Sequence, residues 1–390
     1  MIGRRSLRVL LINNSADLYG ASRALLQLVC FLRSVDADVV VVLPEDGPLR
    51  PALEAQGSEV RIDATLSIVT RGGLSTIGGL AKLIARFPRS VVRMRRLIRE
   101  CRPDLVHTNT GVILSPALAA RITRVPHVWH IRDWFQEFGA IWRPYSRYVQ
   151  WGSSAVICIS ETVARQFRHR DRVEIVCDGV DRDEFADSKH LLREEFRARH
   201  KLEGCVVVGV VGRIKFVRKG QEYLVHAARA LRSRGVNAVY LVVGRAAPGN
   251  EDHEERLRRM VNECGLGDCF LWLGETTDPR PAYAGMDVLV VPSGQPEPFG
   301  LVTLEAMAMG LPVVGSDAGG TAEIVVHRET GLLFPARDVK ALADSLELLI
   351  GDATLRQRMG TAGSARVEEH FGLQRSKEGI LRVYRAVAGL

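Results

Sequence analysis

The chain predicts an α/β protein built from two doubly wound parallel-sheet domains, and three observations carry that expectation. Short β-branched apolar runs recur along the 390 residues, each followed by a stretch of helical period, the signature of βα units and parallel sheets. The series is interrupted by a charged segment, 182–203, and then restarts. A hydrophobic fraction of 46% and a charged fraction of 25% are those of a globular chain long enough to fill two cores.

In the first half, strands are expected at 7–13, 38–43, 60–63, 105–108, 127–131, 155–159 and 173–177. The second half supplies 205–211, 238–243, 269–273, 287–291 and 312–315. Asp178-Gly179-Val180-Asp181 precedes the charged segment, in which a short helix is expected. The expected domains are therefore 1–185 and 186–372, facing each other across a cleft, with a C-terminal helix over 373–390 crossing back to brace the first.

Composition narrows the class further. Seven cysteines are an odd, scattered set without a Cys-x-x-Cys pair, which reads as reduced, buried thiols and gives no metal site. No apolar stretch approaches the ~20 residues that span a bilayer. The basic start is followed only by the apolar run 9–12, too short for a signal-peptide core, so a cytoplasmic protein is expected. Most of the net charge of +8 lies in the first half. In 71–102, Arg71, Lys82, Arg86, Arg89, Arg93, Arg95, Arg96, Arg99 and Arg102 stand against a single acid, Glu100. Interleaved apolar residues make part of this a basic amphipathic helix, either a peripheral anchor on anionic membrane or an ordinary solvated face. Nucleic acid is not an expected partner, because neither a zinc spacing nor an aromatic platform accompanies the charge.

Open α/β sheets bind ligands beyond the carboxyl ends of their strands, which makes the loops after each strand the places to look. After the first strand, Gly20 opens a helix, where it serves either a structural turn or the close approach of a ligand. His130 stands near the end of its strand, followed by Arg132 and Asp133, on the same sheet edge as Gly20. In the second half, Gly212-Arg213 closes a strand and Lys219-Gly220 opens the next helix, placing two cations at one mouth. Arg and Lys neutralise a departing diphosphate without a metal.

The densest signal is Glu297-Pro298-Phe299-Gly300-Leu301-Val302-Thr303-Leu304-Glu305, directly after an apolar run. With a helix opening near Gly300, Glu297 sits in the connecting loop and Glu305 in the second helical turn, both able to face one ligand. The N–H groups of Phe299, Gly300 and Leu301 then suit a phosphate. Anion donors flanked by two hydroxyl-seeking carboxylates suggest a nucleotide sugar. Gly319-Gly320, in the loop leading to Glu323, serve a ligand or a tight turn.

Together these motifs resemble the retaining glycosyltransferases of the two-Rossmann-domain (GT-B) type, in the large bacterial group of mannosyl-, glucosyl- and N-acetylglucosaminyl-transferases. The resemblance covers nearly the whole chain. It implies that Arg213 and Lys219 hold the donor diphosphate, Glu305 the ribose hydroxyls and Glu297 the hydroxyls of the transferred sugar. Phe299, Gly300 and Leu301 give backbone donors, His130 lies beside the reacting sugar, and Gly20 belongs to the substrate site. The catalytic set implied is His130, Arg213, Lys219 and Glu297. Lys215 and Arg218 make the cationic loop more basic than is usual in the family, and Thr321 stands where many members have another small residue or proline.

The expected reaction is transfer of a sugar from a nucleotide diphosphate donor to an acceptor hydroxyl with retention, the departing phosphate oxygen taking the proton. A saccharide or lipid-linked saccharide of a cell-surface polysaccharide or glycolipid is the expected acceptor. No cofactor and no metal are expected: Asp36-Ala37-Asp38 precedes its strand and Asp181-Arg182-Asp183 lies between the domains, both misplaced for a metal-binding Asp-x-Asp. The rival readings are a nucleotide-sugar epimerase on the same fold and a non-catalytic basic protein binding nucleic acid or membrane.

Overall fold

The computed structural model describes residues 6–69, 76–135, 141–187, 189–246 and 249–389. Arg71 lies outside the described residues. Two compact units divide the chain, Met1–Asp178 with Ser376–Leu390 in one and Gly179–Arg375 in the other.

The first unit holds β1 (Arg8–Ile12), β2 (Asp38–Leu43), β3 (Glu59–Ile62), β4 (Leu105–Thr108), β5 (His127–Ile131), β6 (Ala155–Cys158) and β7 (Val173–Ile175), paired in the order β3-β2-β1-β4-β5-β6-β7. The paired strands are all parallel. Period-two alternation divides the strand side chains between two cores. Val9, Leu11, Val39, Val41 and Leu43 pack on one face with Leu25, Leu28 and Leu32 of the helix Gly20–Ser34. Leu10, Ile12, Val40 and Val42 pack on the other with Met94, Leu97 and Ile98 of the helix Ile77–Cys101. The C-terminal helix Leu373–Ala388 puts Ile380, Val383 and Tyr384 into the first of these cores. That is the physical content of its return to the first unit.

In the second unit β8 (Val207–Val211), β9 (Val239–Val243), β10 (Phe270–Gly274), β11 (Val288–Val291), β12 (Val313–Ser316) and β13 (Gly331–Phe334) pair in parallel in the order β10-β9-β8-β11-β12-β13. Strand β13 was not expected, since four residues between a threonine and a proline are too few to display a period. The charged segment after Asp181 forms two helices, Arg182–Ala186 and Lys189–His200. Its charge has a structural use. Arg193 and Arg197 reach Asp287 at the foot of β11 at 2.6 and 3.2 Å, and the same carboxylate accepts from the Val207 N–H at 2.8 Å.

In each sheet the chain runs outward from a central strand and then returns to its other side, which creates one topological switch point per unit. These lie between β1 and β4 and between β8 and β11. Loops leaving the carboxyl ends of such a strand pair diverge and leave a crevice. Among the described residues no helix is long and apolar enough to cross a membrane.

Candidate functional site

At the second switch point, the loop after β8 carries Lys219 and the loop after β11 carries Glu297, and the two meet. Lys219 Nζ lies 2.9 and 3.0 Å from the two carboxylate oxygens of Glu297. Ser293 Oγ donates to Glu297 Oε1 at 2.6 Å. Glu297 is only 8% exposed. Burial works against its charge, but Lys219, the Ser293 hydroxyl and the Arg218 charge outweigh it and hold the carboxyl below its ordinary range. A carboxylate kept ionised while shielded from water is a strong, fixed hydrogen-bond acceptor.

The loop that presents Lys219 is tied down along its length. Gln221, itself buried, accepts from the Lys215 N–H at 3.2 Å and donates to the Arg213 carbonyl at 3.0 Å. Glu222 accepts from the Val217 N–H at 2.5 Å, and His253 Nδ1 from that of Phe216 at 3.2 Å. Gly220 then turns the chain into the helix Gln221–Ser233 with φ 69°, and a Cβ there would lie 1.9 Å from the Pro292 carbonyl oxygen. Only glycine permits that approach. It brings the loops after β8 and β11 together and thereby sets the reach of Lys219. Arg213 is exposed at the start of the same loop.

The helix Leu301–Ala308 opens at Gly300. Phe299 is buried, its ring 6.2 Å from that of Phe371. Glu305, on the buried part of this helix, accepts from the Tyr283 hydroxyl at 2.8 Å. Leu301, at the helix start, is half-buried. Gly319 and Gly320 serve close backbone packing: the Gly320 N–H donates to the Glu297 carbonyl at 2.8 Å, and a Cβ on Gly320 would meet the Phe299 carbonyl oxygen at 2.0 Å. The two glycines therefore lock the segment carrying Glu297.

The first switch point, between β1 and β4, carries a buried polar chain. Asp17 accepts from the Tyr19 N–H and from Ser22 Oγ, both at 3.0 Å. Asn13 donates to Ser22 Oγ at 3.1 Å, and Asn109 donates to Asn13 Oδ1 at 2.9 Å and to the Ala21 carbonyl at 3.0 Å. Arg132 Nε in turn donates to Asn109 Oδ1 at 3.0 Å, and its Nη1 reaches Asp178 at 2.5 Å. The chain thus binds the start of the Gly20 helix to the ends of β4 and β5. Gly20 is exposed, and a Cβ on it would meet nothing within 4 Å, so the fold itself does not require glycine there.

His130 is fully buried on β5, its ring centroid 5.4 Å from that of His107. Burial first, and the charge of Arg132 second, hold its pKa well below the ordinary histidine value, so the ring is neutral. His107 is brought down to about 3 by burial and by Arg132, and it pairs through Nδ1 with the Tyr384 hydroxyl at 2.7 Å.

Lys219 and Glu297, which the sequence assigns to one donor site, are in contact, while Ser293 on Glu297, Gln221 on the Lys219 loop, Tyr283 on Glu305 and Asn109 on Arg132 were overlooked as supports. Ser293 is the one with a readable signal, as a polar residue two positions past the end of a buried strand at a switch point.

The basic helix Ile77–Cys101 is amphipathic as expected, with Val91, Met94, Leu97 and Ile98 buried. Lys82, Arg86, Arg89, Arg96 and Arg99 are exposed, and so are Ile84 and Val92 among them.

Residues 193–366 match the model of the family described as Glycosyl transferases group 1, and residues 19–184 match that described as Glycosyltransferase Family 4. The GDP-mannose-dependent alpha-(1-6)-phosphatidylinositol monomannoside mannosyltransferase of Mycobacterium tuberculosis is 32% identical over 288 residues, 70% of this chain and 73% of that protein. The lipopolysaccharide core biosynthesis mannosyltransferase LpsB of Rhizobium meliloti is 34% identical over 182 residues, 46% of this chain and 51% of that protein. Among solved structures, Anabaena Alr3699/HepE in complex with UDP and glucose is similar at a TM-score of 0.82 with 25% identity, covering 96% of this chain and 98% of that one.

Proposed function

The chain belongs to the group 1 glycosyl transferases, and from that premise we propose that it moves mannose from a nucleotide diphosphate sugar to an acceptor hydroxyl, with the anomeric configuration retained, in the making of a cell-surface polysaccharide or glycolipid. The observation that carries the reading is the Lys219–Glu297 pair with Ser293 at the second switch point. Mannose and the surface polysaccharide come from the names of the two mannosyltransferases the chain resembles. A nucleotide diphosphate donor is supported by the GDP-mannose dependence in one of those names and by the UDP and glucose in the similar solved structure.

In this mechanism Arg213 and Lys219 face the diphosphate, whose charge grows as its oxygen leaves the sugar C1. No metal is assigned to that role. The acceptor oxygen bonds to C1 from the same face, and its proton passes to the departing phosphate oxygen. Glu297, ionised and fixed by Ser293, accepts hydrogen bonds from the sugar hydroxyls and gains strength as positive charge develops on the ring. Glu305 holds the ribose hydroxyls. Phe299, Gly300 and Leu301 give backbone N–H groups to the phosphate, and Gly20 lets the substrate approach the helix start. His130 gives a hydrogen bond to the substrate.

The helix Ile77–Cys101 supports a membrane-borne acceptor and a peripheral position on the inner membrane face. Its exposed cations surround Ile84 and Val92, each 64% exposed, a pattern suited to a surface of anionic lipid.

The reading is tested by mixing the protein with GDP-mannose or UDP-glucose and following melting temperature, then nucleoside diphosphate release with and without acceptor. A donor at 100 times its Kd stabilises by about 2.7 kcal/mol. Release that requires acceptor, unaffected by EDTA, with an α-linked product by NMR, is the expected result. An interconverted sugar formed without acceptor would instead make the protein an epimerase.

A further inference from the structure

The structure assigns Arg132 as a positioning residue that fixes His130 in the neutral form carrying its proton on Nε2, so that the ring gives a hydrogen bond and does not act as a base. This rests on the reading of His130 as a group that meets substrate. A guanidinium donates hydrogen bonds and never accepts them. Arg132 Nη2 lies 3.4 Å from His130 Nδ1, so that nitrogen must offer its lone pair, and the ring proton is left on Nε2.

Three further observations make Arg132 a fixture and not a mobile cation. Its side chain is buried, with Asp178 on Nη1 and Asn109 on Nε, so each edge of the fork has a partner of its own. Asn109 is itself fixed to Asn13 and the Ala21 carbonyl, which ties the orientation to the Gly20 helix. Asp178 balances the Arg132 charge, so the guanidinium is paired within the protein and acts on His130 through a directed N–H and a local field.

The far side of the ring completes the case. His130 Nε2 is buried without a hydrogen-bond partner among the described residues. A buried N–H left unpaired costs free energy comparable to a lost hydrogen bond, a cost a fold retains where a ligand oxygen satisfies it. The charged and titratable groups facing the ring are Arg132 from the end of its own strand, with Asp178 behind it, and His107 from β4, with Tyr384 of the C-terminal helix behind that. Both histidines are neutral, so Arg132 is the one full positive charge beside the ring among these.

The wild-type ring supplies the first test. With histidine labelled by 15N, long-range proton–nitrogen correlation at pH 7.5 reports the tautomer, and the His130 signals are identified by their loss in His130→Gln. The Nε2–H form is expected, and an Nδ1–H form overturns the inference. In Arg132→Gln the ring should become a mixture of tautomers and titrate closer to the ordinary histidine range. Its kcat should fall on the order of 10- to 100-fold, with KM changed less than about threefold. Arg132→Lys keeps the charge beside Asp178 but has one donor point in place of a fork, so it should restore the Nε2–H tautomer and only part of kcat. Unchanged tautomer and titration in a folded Arg132→Gln would also overturn the assignment. Full turnover in His130→Gln, with the wild-type ring in the Nε2–H form, would refute the substrate role of His130 and with it the positioning role, leaving only a structural pairing.

Discussion

Substituting Lys219 by Met separates the contribution of the Glu297 pair to the fold from its use in the reaction. The change keeps most of the aliphatic stem and removes the ammonium, so Glu297, 8% exposed, retains the Ser293 hydroxyl at 2.6 Å and the charge of Arg218. Breaking a buried pair from one side costs about 3–5 kcal/mol. The Lys219 side chain is 29% exposed, which screens part of the attraction and lowers the expectation to about 2–3 kcal/mol. Glu297→Gln leaves the partly exposed ammonium free to reach water and should cost less, about 1–2 kcal/mol. The double variant should then be more stable than the sum of the two losses implies, by a coupling of about 1–2 kcal/mol. The pH dependence has a definite sign. The folded carboxyl lies below its unfolded value, so the stability it contributes is present above about pH 4.5 and is lost as pH falls through the folded value. In Lys219→Met less opposes burial, so the carboxyl moves up, and part of the stability lost at neutral pH should return on mild acidification. Urea unfolding of the four proteins at pH 7.5 and pH 5 measures all of this. Additive losses with no change in pH dependence would refute a coupled, ionised pair.

Three further outcomes are expected. His127 is held near a pKa of 3 by burial, its Nδ1 on the Gly152 carbonyl at 3.1 Å and its Nε2 on Thr108 Oγ1 at 2.9 Å. The unfolded ring takes up a proton below about pH 6.5 and the folded ring does not, so stability should fall by about 1.4 kcal/mol per pH unit through this residue. Urea midpoints between pH 6.5 and 5 should fall less steeply in His127→Gln, and identical slopes would contradict this. Gly20→Ala should leave the unfolding free energy within about 0.5 kcal/mol of wild type while raising KM, whereas Gly220→Ala, at φ 69° and against the Pro292 carbonyl, should cost at least about 2 kcal/mol. Changing Arg86, Arg89 and Arg99 together to Gln should weaken binding to phosphatidylglycerol vesicles on the order of 100-fold at low salt. Retained sedimentation with the vesicles would remove that helix as the contact.

Much of this was legible because the signals are local. A β-branched run followed by a helical period declares a βα unit wherever it stands, and glycine at Gly212, Gly220 and Gly300 marks positive φ at strand ends and helix starts. Strand β13 and the anchoring of Arg193 and Arg197 on Asp287 were not legible, the one for want of length and the other because its partner lies some ninety residues away. Sequence spacing carries no information about such a pairing unless the strand order is known. The same holds for Gly319-Gly320, which sequence left divided between ligand and turn, and whose requirement comes from backbone atoms of Glu297 and Phe299.

Strand order also explains why both units gather polar residues at one place. A parallel sheet buries its strands on both faces, so a polar group within a strand has no water to return to and must find a partner. At a switch point the two central strands send their loops in opposite directions, and the residues just past their ends are the first that are free of the ladder yet still close together. In the first unit those residues are Asn13 and Asn109, joined at 2.9 Å, and in the second they are the loops carrying Lys219 and Glu297, joined at 2.9 Å. One topology thus yields a neutral amide pair in one unit and an ion pair in the other. The difference follows from chemistry. Amides orient without attracting ions and suit a network that aims a neutral ring, whereas an ammonium beside a fixed carboxylate suits a ligand with a charged tail and hydroxyls. Exchanging the two chemistries, by placing Asn at 219 and 297 together, should preserve the second sheet and abolish donor-induced stabilisation. A retained thermal shift with GDP-mannose would show that the charges at that switch point are not what grips the donor.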